Sequence, residues 1–139
     1  LRLPGNRLIS PTDEAKYLGV YIDAGLTFKR HAQYASGKGT AAATALGRLA
    51  RPSFGMPPRF IRQLFQGLVV PRMEYALPVW FRPITSGERK RGGTVAFATR
   101  LAKAQRLACK IATGALRSTS TDALDYHCNM LPIDLRLNL

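Results

Sequence analysis

Residues 16–22 read Lys-Tyr-Leu-Gly-Val-Tyr-Ile, and this run decides how the first part of the chain is expected to fold. Aromatic and β-branched side chains dominate it, which favours a buried β-strand. Gly19 interrupts the side chains, and a glycine within a strand often marks a close approach of another backbone or a ligand. Asp23-Ala24-Gly25 predicts a turn, and Thr27 is a candidate helix cap. We expect the strand to pair with Arg7-Leu8-Ile9 across a longish polar loop.

Helical spacing of apolar residues begins directly after this segment. The alanine-rich stretch from Phe28 to about Ala50 predicts a helix, although its three glycines each cost about 1 kcal/mol relative to alanine. That helix should therefore depend on packing or on the close approach of a partner. Pro57-Pro58 predicts the start of a second helix, because proline is accepted in a first turn. Pro71 is expected to stop or kink it.

The best-defined helix is predicted from about Val95 to Ala112, with Gly114 as its C-cap. A short helix is expected around Asp122–Cys128, and Leu131-Pro132-Ile133-Asp134 resembles the entry to one more. The predicted fold class is mainly α: a short N-terminal β-hairpin followed by a bundle of four or five helices.

The charge balance points to a polyanionic partner. The 139 residues carry 21 Lys+Arg against 8 Asp+Glu, a net charge of +13 and a pI near 10.7. Such an excess favours nucleic acid first and an anionic membrane surface second. The plainer alternative is a basic but inert surface. No apolar run approaches the ~18 residues of a membrane span, so we expect no membrane partner.

The predicted helix at 95–112 separates its apolar and basic residues. At 100° per residue the apolar arc comprises Phe97, Leu101, Ala104, Ala108 and Ile111. A neighbouring arc comprises the candidate nucleic-acid-binding residues Arg100, Lys103, Arg106 and Lys110. A charge run is usually a solvated face, but no acid lies between Glu88 and Asp122 to neutralise this one. Phosphate contact is therefore the favoured interpretation. Arg89, Lys90 and Arg91 are expected to form a flexible basic loop that adds general affinity.

Other reactive residues do not form a recognisable site. The two histidines and two cysteines lack the spacing of a zinc site, since only His127 and Cys128 are close in sequence. Both cysteines are expected to be reduced. No nucleophile elbow surrounds any serine. His31 is expected to cap or pack at a helix start, and Trp80, beside Val79 and Phe81, is a core residue more readily than a base-stacking one.

A series of short motifs in a fixed order resembles one family. Lys16-Tyr17-Leu18-Gly19-Val20, followed by Leu26-Thr27-Phe28, resembles the segment after the polymerase palm in reverse transcriptases of non-LTR (LINE-type) retrotransposons. In that family a Lys-Tyr-Leu-Gly-Val/Ile strand and a Leu-x-Phe/Trp motif lead into the helical thumb. Further similar landmarks, in the family's order, are His31, Leu64-Phe65, Val70-Pro71, Tyr75-Ala76, Val79-Trp80, Gln105-Arg106, Gly114-Ala115-Leu116-Arg117, Ser118-Thr119, Ala123-Leu124 and Leu131-Pro132-Ile133.

The resemblance implies three parts. Residues 1–27 would form a palm-edge β-hairpin similar to a primer grip, in which Tyr17, Leu18 and Gly19 steady the primer end. Residues 28–117 would form a helical thumb-like region, and residues 118–139 the start of a connector toward a missing C-terminal part. The expected source is a fungal LINE-type element, and the expected location is the nucleus.

The family's catalytic motif is not in this sequence. Its Phe/Tyr-Ala-Asp-Asp motif, which would bind Mg²⁺ in the parent polymerase, lies upstream in the palm. Two-metal catalysis needs converging carboxylates, and the acids here are scattered singly except Asp13-Glu14. We therefore expect no catalytic residue, metal site or cofactor in this chain. Its expected role is a non-catalytic fragment of an RNA-directed DNA polymerase that binds RNA template, DNA primer and the missing polymerase palm.

Two alternatives remain open from the sequence. The chain could be a stand-alone helical nucleic-acid-binding module derived from such an element, or a non-functional coding remnant. Flanking coding sequence separates them: an upstream palm favours the polymerase fragment, an in-frame start and stop favours the module, and frameshifts favour the remnant.

Overall fold

Residues 16–22 do not form one strand; they turn back on themselves. In the computed structural model, which describes residues 12–50, 55–85 and 94–139, β1 (Glu14–Tyr17) pairs antiparallel with β2 (Val20–Asp23). Leu18 and Gly19 form the turn with φ of 44° and 86°. Two positive φ values are typical of a type I′ hairpin turn, whose twist matches the flanking strands. The prediction of a single buried strand was wrong, because Gly19 serves as a turn residue. The predicted partner Arg7-Leu8-Ile9 lies outside the described residues.

A carboxylate connects the hairpin to the first helix, α1 (Lys29–Gly47). The Asp23 Oδ2 atom accepts hydrogen bonds from the Thr27 N–H at 2.9 Å and the Thr27 hydroxyl at 2.8 Å, and Oδ1 accepts from the Phe28 N–H at 2.7 Å. These bonds lower the pKa of Asp23, the Thr27 N–H contributing most. The prediction of Thr27 as the cap was wrong. Phe28 occupies the N-cap position, and Asp23 supplies the acceptor.

The inner face of α1 is made of small residues. Ala32, Ala35, Ala42 and Ala43 are buried, which lets neighbouring helices approach closely. Gly39 shows how closely, because a Cβ atom placed there would lie 2.2 Å from Cγ of Met73. The expectation that this glycine-containing helix depends on close packing is confirmed at Gly39.

The second helical stretch continues through its proline. It consists of α2 (Pro58–Leu64), a π-helical turn (Phe65–Val69) and α3 (Val70–Met73), followed by α4 (Leu77–Trp80). Pro71 therefore does not stop the helix, which ends two residues later. A proline removes the N–H that would bond to the residue four positions earlier. The wider π turn lies at this point, where the regular hydrogen-bond pattern is already interrupted.

The longest C-terminal helix matches its prediction closely. α5 (Val95–Thr113) ends at Gly114, whose φ of 66° is left-handed and whose N–H donates to the Lys110 carbonyl at 2.9 Å. Two short helices follow, α6 (Thr121–His127) and α7 (Ile133–Leu137). Ser120 caps α6 by accepting a hydrogen bond from the Ala123 N–H at 3.3 Å.

One hydrophobic core joins all these helices. Phe65, Met73, Leu101 and Leu124 are almost completely buried within it, and α7 contributes Ile133. The mainly α fold class is confirmed, although the described residues contain seven α-helical segments and one π turn rather than four or five helices. The domain boundaries at residues 27 and 117 stay predictions. Within the described ranges, no helix has the length and apolarity needed to cross a membrane.

Candidate nucleic-acid interface

Among the described residues, three of the four predicted phosphate-binding residues on α5 have no side-chain ion pair or hydrogen bond in the structure. Arg100 and Lys103 are exposed and Lys110 is half-buried. Neither ion pair found in the described part of the chain involves them. On the neighbouring arc of the helix, Leu101, Ala104 and Ala108 are buried as predicted. α5 therefore presents a basic face whose side chains are available to an external anion.

Arg106, the fourth predicted residue, is half-buried and hydrogen-bonded to the protein itself. Its guanidinium donates to the Thr121 hydroxyl at 2.8 Å and to the carbonyls of Arg117 and Thr119 at 3.1 and 2.6 Å. The chain reverses after Gly114 and brings residues 117–121 alongside α5. Arg106 therefore has a different environment from the other three cations. Helical periodicity alone does not predict this difference.

The predicted primer-grip-like residues form the exposed tip of the hairpin. Tyr17 and Leu18 are 66% and 75% exposed. The turn rests on Tyr75, whose hydroxyl donates to the Leu18 carbonyl at 2.9 Å. A Cβ atom on Gly19 would lie 3.1 Å from the Tyr75 ring, so the ring and the turn are in close contact. The structure brings the tip against the α3–α4 junction. Arg89, Lys90 and Arg91 lie outside the described residues.

His31 packs beneath this hairpin, at the start of α1, as predicted. Its Nδ1 atom accepts a hydrogen bond from the Tyr21 N–H at 3.4 Å, and its ring lies edge-on to Trp80 with 5.4 Å between centroids. Burial lowers the pKa of His31, and the nearby Tyr75 backbone offsets part of this. Trp80 is 3% exposed and donates its Nε1–H to the Tyr75 carbonyl, which confirms it as a core residue.

A second group of basic and aromatic residues, which periodicity did not find, lies beside the hairpin. Lys16 and Lys38 lie over the Tyr34 ring, 4.9 and 4.8 Å from its centroid. Arg30 lies over the Tyr21 ring at 4.7 Å and forms an ion pair with Glu14. The group draws on both strands and α1, so only the spacing of Arg30, Tyr34 and Lys38 by one helical turn each was visible in the sequence.

Side chains suited to metal binding do not come together in the described ranges. No group of three or more His, Cys, Asp or Glu side chains there is placed to hold an ion. The residues present therefore do not fit the Mg²⁺ site that the family resemblance implies for the parent polymerase. The described side chains around the hairpin and on α5 include exposed cations, hydroxyls and aromatic rings.

Proteins of R1 retrotransposons match almost the whole chain. A 115 kDa protein in the type-1 retrotransposable element R1DM of Drosophila melanogaster is 32% identical over 124 residues, which cover 89% of this chain and 11% of that protein. A Pol polyprotein from an R1 element of Bradysia coprophila is 31% identical over 135 residues, 97% of this chain and 12% of the relative. One from Nasonia vitripennis is 27% identical over 130 residues, 94% and 33% respectively. No family model and no solved structure matches the chain.

These matches define what the chain is similar to. The relatives are proteins of R1 non-LTR retrotransposons, so the similarity agrees with the retrotransposon resemblance noted in the sequence. The chain spans between about a tenth and a third of the length of these curated relatives. The relatives come from insects, so the fungal source gains no support from them. Assignment to the thumb stays a prediction.

Proposed function

We propose that this chain is the thumb and connecting region of a non-LTR reverse transcriptase, and that it holds an RNA template paired with a DNA primer. Its part in synthesis is non-covalent. The polymerase palm, as partner, carries out nucleotide transfer with Mg²⁺, and the protein acts in the nucleus. The similarity to R1 Pol polyproteins over nearly the whole chain supports this proposal.

The observation that carries the proposal is the face of α5 formed by Arg100, Lys103 and Lys110. Unneutralised cations on a rigid helix attract phosphates, and the release of counterions from the nucleic acid drives binding. Phosphate contacts position a duplex without reading its sequence. A polymerase must hold every template sequence, so this mode of binding suits a thumb.

The hairpin tip gives the second half of the proposal. Tyr17 and Leu18 expose apolar side chains beside a turn that Tyr75 holds in place. Exposed apolar groups on a short two-stranded hairpin are suited to an interface. In the proposal the tip contacts the palm and the primer end, while α5 contacts the duplex behind it.

A salt titration of binding to an RNA–DNA hybrid tests the proposal. We expect the affinity of the wild-type chain to fall steeply with salt and to differ little between hybrids of unrelated sequence. The variant Arg100→Gln/Lys103→Gln/Lys110→Gln should flatten the log–log slope by about two units, since each phosphate contact contributes roughly 0.7–0.9. Fluorescence anisotropy measures both quantities.

A matched control removes the same charge elsewhere. Lys29, Arg48 and Arg59 are exposed and lie outside α5, and their triple replacement with glutamine should leave most of the slope intact. Equal slopes for the two triple variants would reduce the face of α5 to a solvated surface and contradict the proposal. Circular dichroism of each variant verifies that helical content is unchanged.

A further inference from the structure

A cavity of about 380 Å³ lies between the hairpin, the N-terminal half of α1 and α3. Its size is within the ~300–1,000 Å³ range typical of small-ligand pockets. Three cations line it: Lys16 from β1, Lys38 from α1 and Arg72 from α3. No Asp or Glu is among the described residues of the lining. Positive charge from three separate elements therefore converges on one concave place.

The Tyr34 hydroxyl also belongs to this cavity and is set among the cations. Lys16 Nζ donates to it at 3.5 Å. The positive surroundings lower the pKa of Tyr34, with Lys38 the larger contributor and Lys16 the smaller. A lowered tyrosine pKa means that the surroundings favour the negatively charged phenolate. Such surroundings would also favour a bound anion.

His31 contributes a buried polar atom that lacks a well-formed hydrogen bond among the described residues, although the Tyr75 backbone acts on the ring. Its Nδ1 accepts the Tyr21 N–H, so the neutral ring carries its proton on Nε2. Within the described part of the chain that Nε2 atom is buried and makes no hydrogen bond of normal geometry. A buried donor left unpaired costs roughly as much as a lost hydrogen bond, so such atoms call for an acceptor. His31 also lines the cavity.

We propose that this cavity binds one phosphate group of the nucleic-acid strand held by the protein. Lys16, Lys38 and Arg72 supply the charge, and the Tyr34 hydroxyl and the His31 ring supply hydrogen-bond donors. Arginine and lysine together suit a phosphate, because the guanidinium forms a directional fork and each ammonium acts as a point charge. The inference rests on the proposed function and adds to it a second phosphate site, away from the face of α5.

The test compares two triple variants of equal charge. Lys16→Gln/Lys38→Gln/Arg72→Gln removes the cations of the cavity, and Lys29→Gln/Arg48→Gln/Arg59→Gln removes three exposed cations that do not line it. We expect the cavity variant to bind an RNA–DNA hybrid about fivefold more weakly than the control at the same salt concentration. Hybrids with and without a 5′-phosphate distinguish an internal phosphodiester from a terminal phosphate.

A direct readout accompanies the affinities. Inorganic phosphate titrated into the full chain should shift the NMR signals of the His31 ring saturably in the wild type and the control, and not in the cavity variant. Equal affinities of the two variants with no phosphate-dependent His31 shift would overturn the inference while leaving salt-dependent hybrid binding, and the proposed function, in place. A wild-type chain that binds no hybrid would overturn both.

Discussion

Polar residues on the two sides of α5 differ in their partners. On the side facing α6 and α7, Gln105 is 2% exposed and is hydrogen-bonded within the protein. Its amide donates to Asp125 Oδ1 at 3.0 Å and to the Leu131 carbonyl at 2.9 Å, and it accepts from Arg136 at 2.6 Å. On the other side, Arg100 and Lys103 are exposed and form no ion pair within the described ranges.

The comparison distinguishes cations that are bonded within the fold from cations that have no partner among the described residues. Arg136 also donates to Glu74 at 2.9 Å, joining α7 to the α3–α4 junction. Arg106 belongs with Arg136, since its donors are used on the loop before α6. On α5, we expect a basic residue with acceptors in the protein to stabilise the fold, and one with no acceptor among the described residues to be available to an external phosphate.

The largest expected effect comes from breaking the buried network. Gln105→Leu keeps the volume but leaves the Asp125 carboxyl, the Leu131 carbonyl and the Arg136 guanidinium without this partner. We expect a loss of about 2–4 kcal/mol in the free energy of unfolding, because each buried group left unpaired costs about 1–3 kcal/mol. Urea denaturation measures it. Lys103→Gln, on the exposed side of the same helix, should stay within about 0.5 kcal/mol of the wild type. A Gln105→Leu variant as stable as the control would show that the network is dispensable.

A smaller effect is the pH dependence of the unfolding free energy, to which Asp125 and Asp23 should contribute with opposite sign. Burial raises the pKa of Asp125, and hydrogen bonds from Gln105 and Cys109 offset part of the change. The folded state then holds this proton more tightly than the unfolded one. The stabilising contribution is therefore present at low pH and is lost as pH rises from the ordinary value of about 3.9 through the folded pKa.

Asp23, at the end of β2, is expected to affect stability in the reverse way. Its pKa is lowered, so its contribution is present above the ordinary pKa and lost as pH falls through the folded pKa. Unfolding free energies of Asp125→Asn and Asp23→Asn, measured by urea between about pH 3 and pH 7, should diverge from the wild type in opposite directions. Curves that both run parallel to the wild type would contradict these assignments.

Local sequence signals predicted the helices but not the contacts between them. The limits of α5 were accessible because Gly114 is a strong stop signal and the apolar spacing is regular. The hairpin was misjudged because a Leu-Gly turn is a weaker signal than Asn-Gly, so residues 16–22 resembled one apolar strand. Of the two expectations for Pro71, a stop or a kink, the stop was wrong, and the π turn before it has no clear sequence signature.

In the candidate site too, local sequence patterns identified some residues, while the roles of others depend on tertiary contacts. Arg100, Lys103 and Lys110 could be identified from periodicity, since a helix places them on one face. The internal role of Arg106 depends on carbonyls of residues 117 and 119, which reach it only after the chain reverses. The cavity at Lys16, Lys38 and Arg72 unites residues more than 50 positions apart in sequence, so no local pattern could indicate it.

The central claim is that the cations of α5 with no acceptor among the described residues bind nucleic acid, while Arg106, which has acceptors, holds the fold. Comparing Lys103→Gln with Arg106→Gln, one helical turn apart on α5, tests it most directly. We predict that Lys103→Gln lowers the salt slope for an RNA–DNA hybrid by roughly 0.7–0.9 with stability unchanged. Arg106→Gln should cost about 1–2 kcal/mol in unfolding free energy and leave the slope unchanged. Equal loss of slope in both variants, with no loss of stability in Arg106→Gln, would contradict the account.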